Sequence, residues 1–370
     1  MKIEILSMQN VNNFGSLLQS YSLSKILREM GHEVYFIDIE RRESDYNLLG
    51  KLHNRYESER EGASLKSKLK KIDRYTLNRL RIKKTSALQD QLFHEFRYDV
   101  LDIKQKIDHA DYCIIGSDEV FNCLSASAWG FTSQLFGNVE NADHVITYAA
   151  SCGSTTFDSL PNSVKEAIKK AFSNIEHVSV RDANTLDFVT HFSNRSILEH
   201  LDPVLVGDFA DEIATVKDIP WDLSKPYCIV YSYYNRIHQP DDIKMIKRFC
   251  KRHNLNIVAV GAPQMWIKDY YALSPFQMLK VFQNAAFVVT DTFHGAIFSY
   301  LYAKRFAIIT RESNKIKLLD LVEKLEIQNH LLDDNCLETL FSVENNPAEV
   351  HIKLSGEIKR SRNYLLESLR

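Results

Sequence analysis

The 370-residue sequence has no cysteine pair at CxxC spacing, and its 6 cysteines, Cys113, Cys123, Cys152, Cys228, Cys250 and Cys336, are scattered. A disulfide framework and a zinc cluster are thereby disfavoured, and reduced, mostly buried thiols are expected. No run of 18 or more apolar residues occurs, so no segment is a candidate membrane-spanning helix. The opening stretch reads as a first strand rather than a secretory leader, and a cytoplasmic protein is expected. Charge of one sign is not in excess: 46 Lys+Arg face 48 Asp+Glu, a net charge of -2. No global field draws such a chain onto nucleic acid, so any anion binding must be local. GxGxxG, P-loop, GxSxG and HExxH motifs are all missing, as is any His/Cys group with ligand spacing. Neither a bound cofactor nor a metal is expected, and activity should persist in excess chelator.

What is present is the rhythm of an α/β protein. An apolar run at 2–8 is followed by a polar loop. Leu17, Leu18, Tyr21, Leu23, Ile26, Leu27 and Met30 then recur at helical spacing up to Gly31, and a second apolar run follows at 33–38. Strand, loop, helix, glycine stop and strand make a βαβ unit with a parallel sheet. Further strands are predicted at 112–115, 145–150, 178–180, 227–231, 257–260, 287–290 and 306–309, and 201–205 closes the first set. Pro203, Pro220 and Pro226 mark a boundary. The expected architecture is two doubly wound, Rossmann-like halves facing a cleft, a GT-B-like arrangement. The first half spans 1–205, with a helical insertion at about 51–106; the second spans 206–347; a terminal helix covers 348–370. The insertion carries Lys66, Lys68, Lys70, Lys71, Arg74, Arg79, Arg81, Lys83 and Lys84, with only Asp73 opposing between Lys66 and Lys84. Two readings of this basic face stand side by side: docking on an anionic membrane surface, or a solvated face that pairs with acidic surface.

In parallel sheets ligands sit beyond the carboxyl ends of the strands, so the strand exits are where polar residues can do chemistry. Four exits draw notice. In Thr290-Asp291-Thr292-Phe293-His294-Gly295 an apolar strand runs almost directly into a helix. Free N–H groups then face the cleft, and His294 can bind an anion or act as a general acid; the plainer reading is a capped helix with a packed histidine. In Gly116-Ser117-Asp118-Glu119 a carboxylate can take a proton from a hydroxyl or hydrogen-bond it, against the reading of a helix N-cap. The loop Asn10 to Ser16 suits a polar ligand through its asparagines and Gly15, or is an ordinary Asn/Gly turn. Arg181 at the end of 178–180 can hold a carboxylate or phosphate bidentately, or pair with Asp182 or Glu176. Arg311 after 306–309 carries the same two readings.

Together these exits resemble the polysaccharide pyruvyl transferase family. The matching stretches begin with Asn13-Phe14-Gly15-Ser16-Leu17-Leu18-Gln19-Ser20-Tyr21-Ser22-Leu23, Ile115-Gly116-Ser117-Asp118-Glu119-Val120-Phe121-Asn122 and Tyr148-Ala149-Ala150-Ser151-Cys152-Gly153. They continue with Val178-Ser179-Val180-Arg181-Asp182, Leu201-Asp202-Pro203 and Thr290-Asp291-Thr292-Phe293-His294-Gly295-Ala296-Ile297-Phe298-Ser299. Three places depart from the family pattern. Glu119-Val120-Phe121-Asn122 stands where Gln-Val-Trp-Asn is common, Lys315 stands near a usual arginine, and Lys304-Arg305-Phe306 lacks the usual proline. The resemblance implies transfer of a pyruvyl group from phosphoenolpyruvate to a sugar of a surface polysaccharide, lipid-linked or free, as a cyclic ketal. On that basis His294 and Asp118 are the expected catalytic residues. Asn13, Gly15, Ser117, Glu119, Arg181, Asp291, Thr292, Phe293, Gly295 and Arg311 are expected to bind substrate. Two other classes share the same features: a GT-B glycosyltransferase using a nucleotide sugar, and a catalytically silent sugar-binding assembly protein.

Overall fold

The computed structural model describes residues 1–40, 44–45, 48, 75–124, 131–311, 314–332 and 336–370. Two parallel sheets organise the chain. The first comprises β1 (Lys2–Leu6), β2 (Glu33–Phe36), β3 (Ala110–Ile115), β4 (Ala142–Thr147), β5 (Ile175–Val180) and β6 (Ile197–Glu199), in the order β2-β1-β3-β4-β5-β6. The second comprises β7 (Tyr227–Ser232), β8 (Asn256–Gly261), β9 (Asp269–Tyr270), β10 (Phe287–Thr290) and β11 (Phe306–Ile308), in the order β11-β10-β7-β8-β9. Helices connect the strands, so the fold is two Rossmann-like halves, the GT-B-like arrangement expected. The β6 and β9 strands, of 3 and 2 residues, are too short to leave an apolar pattern in the sequence.

In each sheet the strand order reverses once, between β1 and β3 and between β7 and β10. Loops leaving neighbouring strands at such a point run to opposite faces and open a crevice. The loops after β1, β3, β7 and β10 are therefore the ones the fold sets around a ligand.

The helix Phe14–Glu29 lies at the junction of the halves. Asn13 caps it by accepting from the Gly15 N–H, and Gly31, at φ +89, follows its end. Twelve of its 16 residues are buried. The Phe14 ring meets Phe93 edge-on at 4.8 Å and Tyr231 of β7 at 6.5 Å, while Tyr21 packs on Phe96, Phe209 and Phe276. Small residues let neighbours close in: the Ser22 hydroxyl donates to the Pro203 carbonyl at 2.6 Å. One apolar cluster runs from Ile3 and Ile5 through Phe14 and Tyr231 to Phe298 and Leu321, so both halves share a core.

Three expectations change. The segment at 201–205 is not a strand: Asp202 accepts from the Val204 N–H and Pro203 opens the short helix Pro203–Val206, because proline suits the first helical position. The terminal helix expected over 348–370 is two helices, Pro347–Lys353 and Ser355–Ser368, parted at Leu354. The second of these returns to the first half, where Tyr364 Oη donates to the Thr147 carbonyl and Ser361 Oγ accepts from the Leu201 N–H. The helix Tyr75–Glu95 of the insertion is not confined to the first half. Buried Gln89 clasps Leu273 of the second half through its N–H and carbonyl, at 3.0 and 2.8 Å. Arg81, Lys83 and Lys84 are exposed on it, whereas Lys66, Lys68, Lys70, Lys71 and Arg74 lie outside the described residues. Among the described residues no helix is long and apolar enough to cross a membrane.

A shared core makes the halves unfold together. Phe14→Ala should cost about 3–5 kcal/mol, and urea unfolding should remain one transition by circular dichroism and by fluorescence. Two resolved transitions, one per half, would contradict a common core.

Candidate active site

At the exit of β3 the chain turns at Gly116, φ +123, where a Cβ would come within 2.3 Å of the Tyr148 carbonyl oxygen. The described residues 119–124 form no helix, so Asp118 is not a helix cap. It sits at φ +74 and joins the ends of β4 and β5 through Ala150. Its carboxylate accepts from Ser16 Oγ at 2.6 Å and from the Glu119 N–H at 2.9 Å. Ser117 is fully buried; its hydroxyl donates to the Ala149 carbonyl.

Glu119 reaches across the cleft. It pairs with Lys317 of the helix Lys315–Lys324 and accepts from Asn122 Nδ2 at 2.7 Å. Gly153 lies against it: a Cβ there would stand 2.7 Å from Glu119 Oε2. Burial alone would raise the Glu119 carboxyl, but the Lys317 ammonium and the Asn122 amide outweigh it and bring it down to about 2. Lys317 shifts upward in concert, the pull of Glu119 exceeding the effect of burial. Both groups therefore stay charged.

Asp202 is the hub of a second cluster. Its Oδ2 accepts from Arg181 Nη1 at 2.7 Å and lies 3.4 Å from His294 Nε2. The first is a hydrogen bond; the second is a charge contact without hydrogen-bond geometry. Burial works to raise the Asp202 carboxyl, yet His294 and Arg181 hold it well below the usual carboxylate range. Arg181 is 5% exposed and its guanidinium stacks 4.2 Å above the Phe293 ring. Arg181 Nε and His294 Nε2 are both buried without a hydrogen-bond partner among the described residues. The His294 ring stands against the start of the helix Phe14–Glu29, where a Cβ on Gly15 would come within 2.2 Å of Nδ1. A cavity of about 220 Å³ adjoins this cluster, lined among others by Arg181, Asp202, Phe293, His200 and Lys324.

The third cluster surrounds Asp291, which is fully buried. Ser232 Oγ donates to its Oδ1 at 2.6 Å, and Arg236 Nε and Arg311 Nε each lie 3.5 Å from Oδ2. Burial raises this carboxyl, with Ser232 and the two arginines opposing. Arg311 also donates to Asp242 at 2.8 Å.

The structure thus brings His294, Arg181, Phe293 and Gly15 to one point, and Asp118 and Glu119 to the facing loop. Asn13 and Thr292 are occupied as caps, and Asp291 anchors arginines. Gly295 serves close packing, since a Cβ there would meet Thr290 Oγ1 at 2.1 Å and Tyr231 at 2.7 Å. The asparagines of the first loop are also engaged, Asn12 with Asp90 and Arg97. Arg311 belongs to the Asp291 cluster rather than to that of His294. Sequence reasoning did not single out Lys317, Arg236, Tyr233 or Ser16 as site residues. For Arg236 and Tyr233 the signal lay in topology, because their loop leaves β7 at the reversal of strand order. Among the described residues no group of three or more His, Cys, Asp or Glu could hold a metal ion.

The Glu119–Lys317 pair has a pH signature. A carboxyl depressed from 4.5 to about 2 stabilises the fold above its unfolded value and loses that contribution as pH falls through the folded one. The stability difference between wild type and Glu119→Gln, from urea titrations, should be constant above pH ~5 and shrink towards pH ~2. A difference independent of pH across this window would contradict the pairing.

Comparison with known proteins places these clusters in context. In overall fold the chain is similar to the UDP-GlcNAc 2-epimerase of Methanocaldococcus jannaschii, at 12% identity and TM-score 0.48, covering 100% of this chain and 99% of that one. It is similar to the UDP-GlcNAc 2-epimerase of Neisseria meningitidis at 10% identity and TM-score 0.42, over 97% and 100% of the two chains. The spinosyn rhamnosyltransferase SpnG compares at 11% identity and TM-score 0.41, over 100% of both. No curated protein matches the sequence. The sequence profile described as Polysaccharide pyruvyl transferase matches residues 13–313, a span that holds Arg181, Asp202 and His294, the Asp291 cluster, and Glu119 but not its partner Lys317. The chain belongs to the polysaccharide pyruvyl transferase family.

Proposed function

We propose that the protein transfers a pyruvyl group from phosphoenolpyruvate to two hydroxyls of one sugar of a surface polysaccharide or its precursor, forming a cyclic ketal. The observation that carries this reading is the cluster at Asp202, which sets an arginine and a histidine side by side between the halves, each with a buried nitrogen left unpartnered. Buried polar nitrogens are costly without a partner, and an anionic donor supplies acceptors to both.

The chemistry needs three things. Carbon 3 of the enol must gain a proton, leaving carbon 2 electron-poor; His294, in its protonated form, gives that proton. A sugar hydroxyl must attack carbon 2 as its own proton leaves; Asp118, on the facing loop, receives it. The C–O bond to phosphate must then break, and the second hydroxyl closes the ketal while its proton passes to the departing phosphate. Charge develops on carbon 2 and on phosphate, so fixed charges and the N-terminus of the helix Phe293–Tyr302 contribute most by electrostatics. Arg181 is the counter-charge for the donor, and its stacking on Phe293 holds the guanidinium plane. Ion-paired Glu119 stays ionised and accepts hydrogen bonds from the sugar.

Turnover is read as phosphate released in the presence of an acceptor saccharide. His294→Ala should lower it about a hundredfold or more, with the Michaelis constant for phosphoenolpyruvate changed less. Undiminished turnover would remove His294 from the acid role. Raised melting temperatures with UDP-sugars but not with phosphoenolpyruvate would favour a glycosyltransferase instead.

A further inference from the structure

Two aromatic rings stand open on a loop that is otherwise tied down. Tyr233 and Tyr234 directly follow β7 and are 47% and 66% exposed. The backbone that carries them is braced. Fully buried Gln264 donates to the Tyr233 carbonyl at 2.8 Å and accepts from the Ile237 N–H at 3.1 Å. The Asn235 N–H donates to the Pro263 carbonyl, Asn235 Oδ1 accepts from the Met265 N–H, and Trp266 Nε1 donates to the Ile237 carbonyl at 2.7 Å. These bonds fix the backbone that carries the two rings.

The setting of Tyr233 narrows what the rings receive. Its loop leaves β7 at the reversal of strand order, where the fold sets it around a ligand, and burial raises the phenol, with Glu119 and Asp118 acting in the same direction and Lys317 and Arg236 opposing. Arg236 covers part of it, with Cζ 5.4 Å from the ring centroid. Tyr234 extends the surface outward, its hydroxyl 3.7 Å from Met265 Sδ. The result is an exposed aromatic surface next to a guanidinium. It suits a pyranose ring, which has one C–H face to lay on an aromatic surface and a rim of hydroxyls to bond to carboxylates.

We infer that Tyr233 and Tyr234 form the acceptor platform. Tyr233 stacks on the sugar whose hydroxyls face Asp118 and Glu119, and Tyr234 lies under the next sugar of the chain. Naming the sugar as acceptor rests on the pyruvyl-transfer reading; the presence of a sugar-stacking platform does not. Because both rings are exposed, their substitution leaves the core untouched, which an unchanged melting temperature verifies.

The test has two arms. Saturation-transfer NMR with the methyl glycosides of galactose, glucose and mannose, and separately with UMP, reads binding without turnover. At least one glycoside should receive saturation from wild type, the Tyr233→Ala/Tyr234→Ala protein should lose it, and Tyr233→Phe should keep it. In steady-state kinetics with an oligosaccharide acceptor, Tyr233→Ala should raise KM for the saccharide about tenfold and leave KM for phosphoenolpyruvate within about twofold. Loss of glycoside binding in the double variant, without any pyruvyl transfer by wild type, would uphold the platform and sink the transfer reading. Pyruvyl transfer with an unaltered saccharide KM in Tyr233→Ala would overturn the platform alone. Saturation of UMP but of no glycoside, or glycoside signals that persist in the double variant, would also overturn it.

Discussion

Asp202 is fully buried, and a carboxylate out of water is tolerated only where opposite charge and hydrogen bonds compensate it. Here the compensation comes from both halves at once. Arg181 at the end of β5 and the Val204 N–H supply it from the first half, and His294 at the start of the helix Phe293–Tyr302 supplies it from the second. Both side chains are drawn to the shared anion, and they offset the burial that would otherwise raise its carboxyl. The side-by-side placement of a guanidinium and an imidazole is thus a consequence of one buried charge.

Close approach is the other constraint on this point. The His294 ring occupies the space a side chain on residue 15 would need, and the helix it opens presses so tightly on β10 and β7 that residue 295 has no room for a Cβ either. Gly15 and Gly295 leave room for close contact with the His294 ring and with Thr290 and Tyr231. The apolar seam of Phe14, Phe93 and Tyr231 behind them holds the distance, and the Gln89 clasp on Leu273 ties the insertion helix to the same arrangement.

Much of this was legible in the sequence because it follows from periodicity. The βαβ opening with its helix ending at Gly31, the division into two parallel sheets and the strand exits bearing Asp118, Arg181 and His294 all rest on local pattern. What the sequence left hidden has physical reasons. β6 and β9 are too short to show alternation, and Asp202-Pro203 next to apolar residues looks like the end of a strand although proline there starts a helix. The pairing of Glu119 with Lys317, 198 positions apart, and the sharing of Asp202 by Arg181 and His294 exist only once the halves meet. The alternatives set against each candidate were also local. Arg181 was weighed against Asp182 and Glu176, its sequence neighbours, whereas its partner lies 21 positions on.

The claim that these clusters serve pyruvyl transfer has a direct chemical readout in the product. Mass spectrometry of the sugar repeat unit of the surface polysaccharide, made in cells with and without this protein, counts the groups it adds. One pyruvyl ketal per repeat in the presence of the protein, and none in its absence, is the expected result. Repeat units of identical mass in the two would contradict the account.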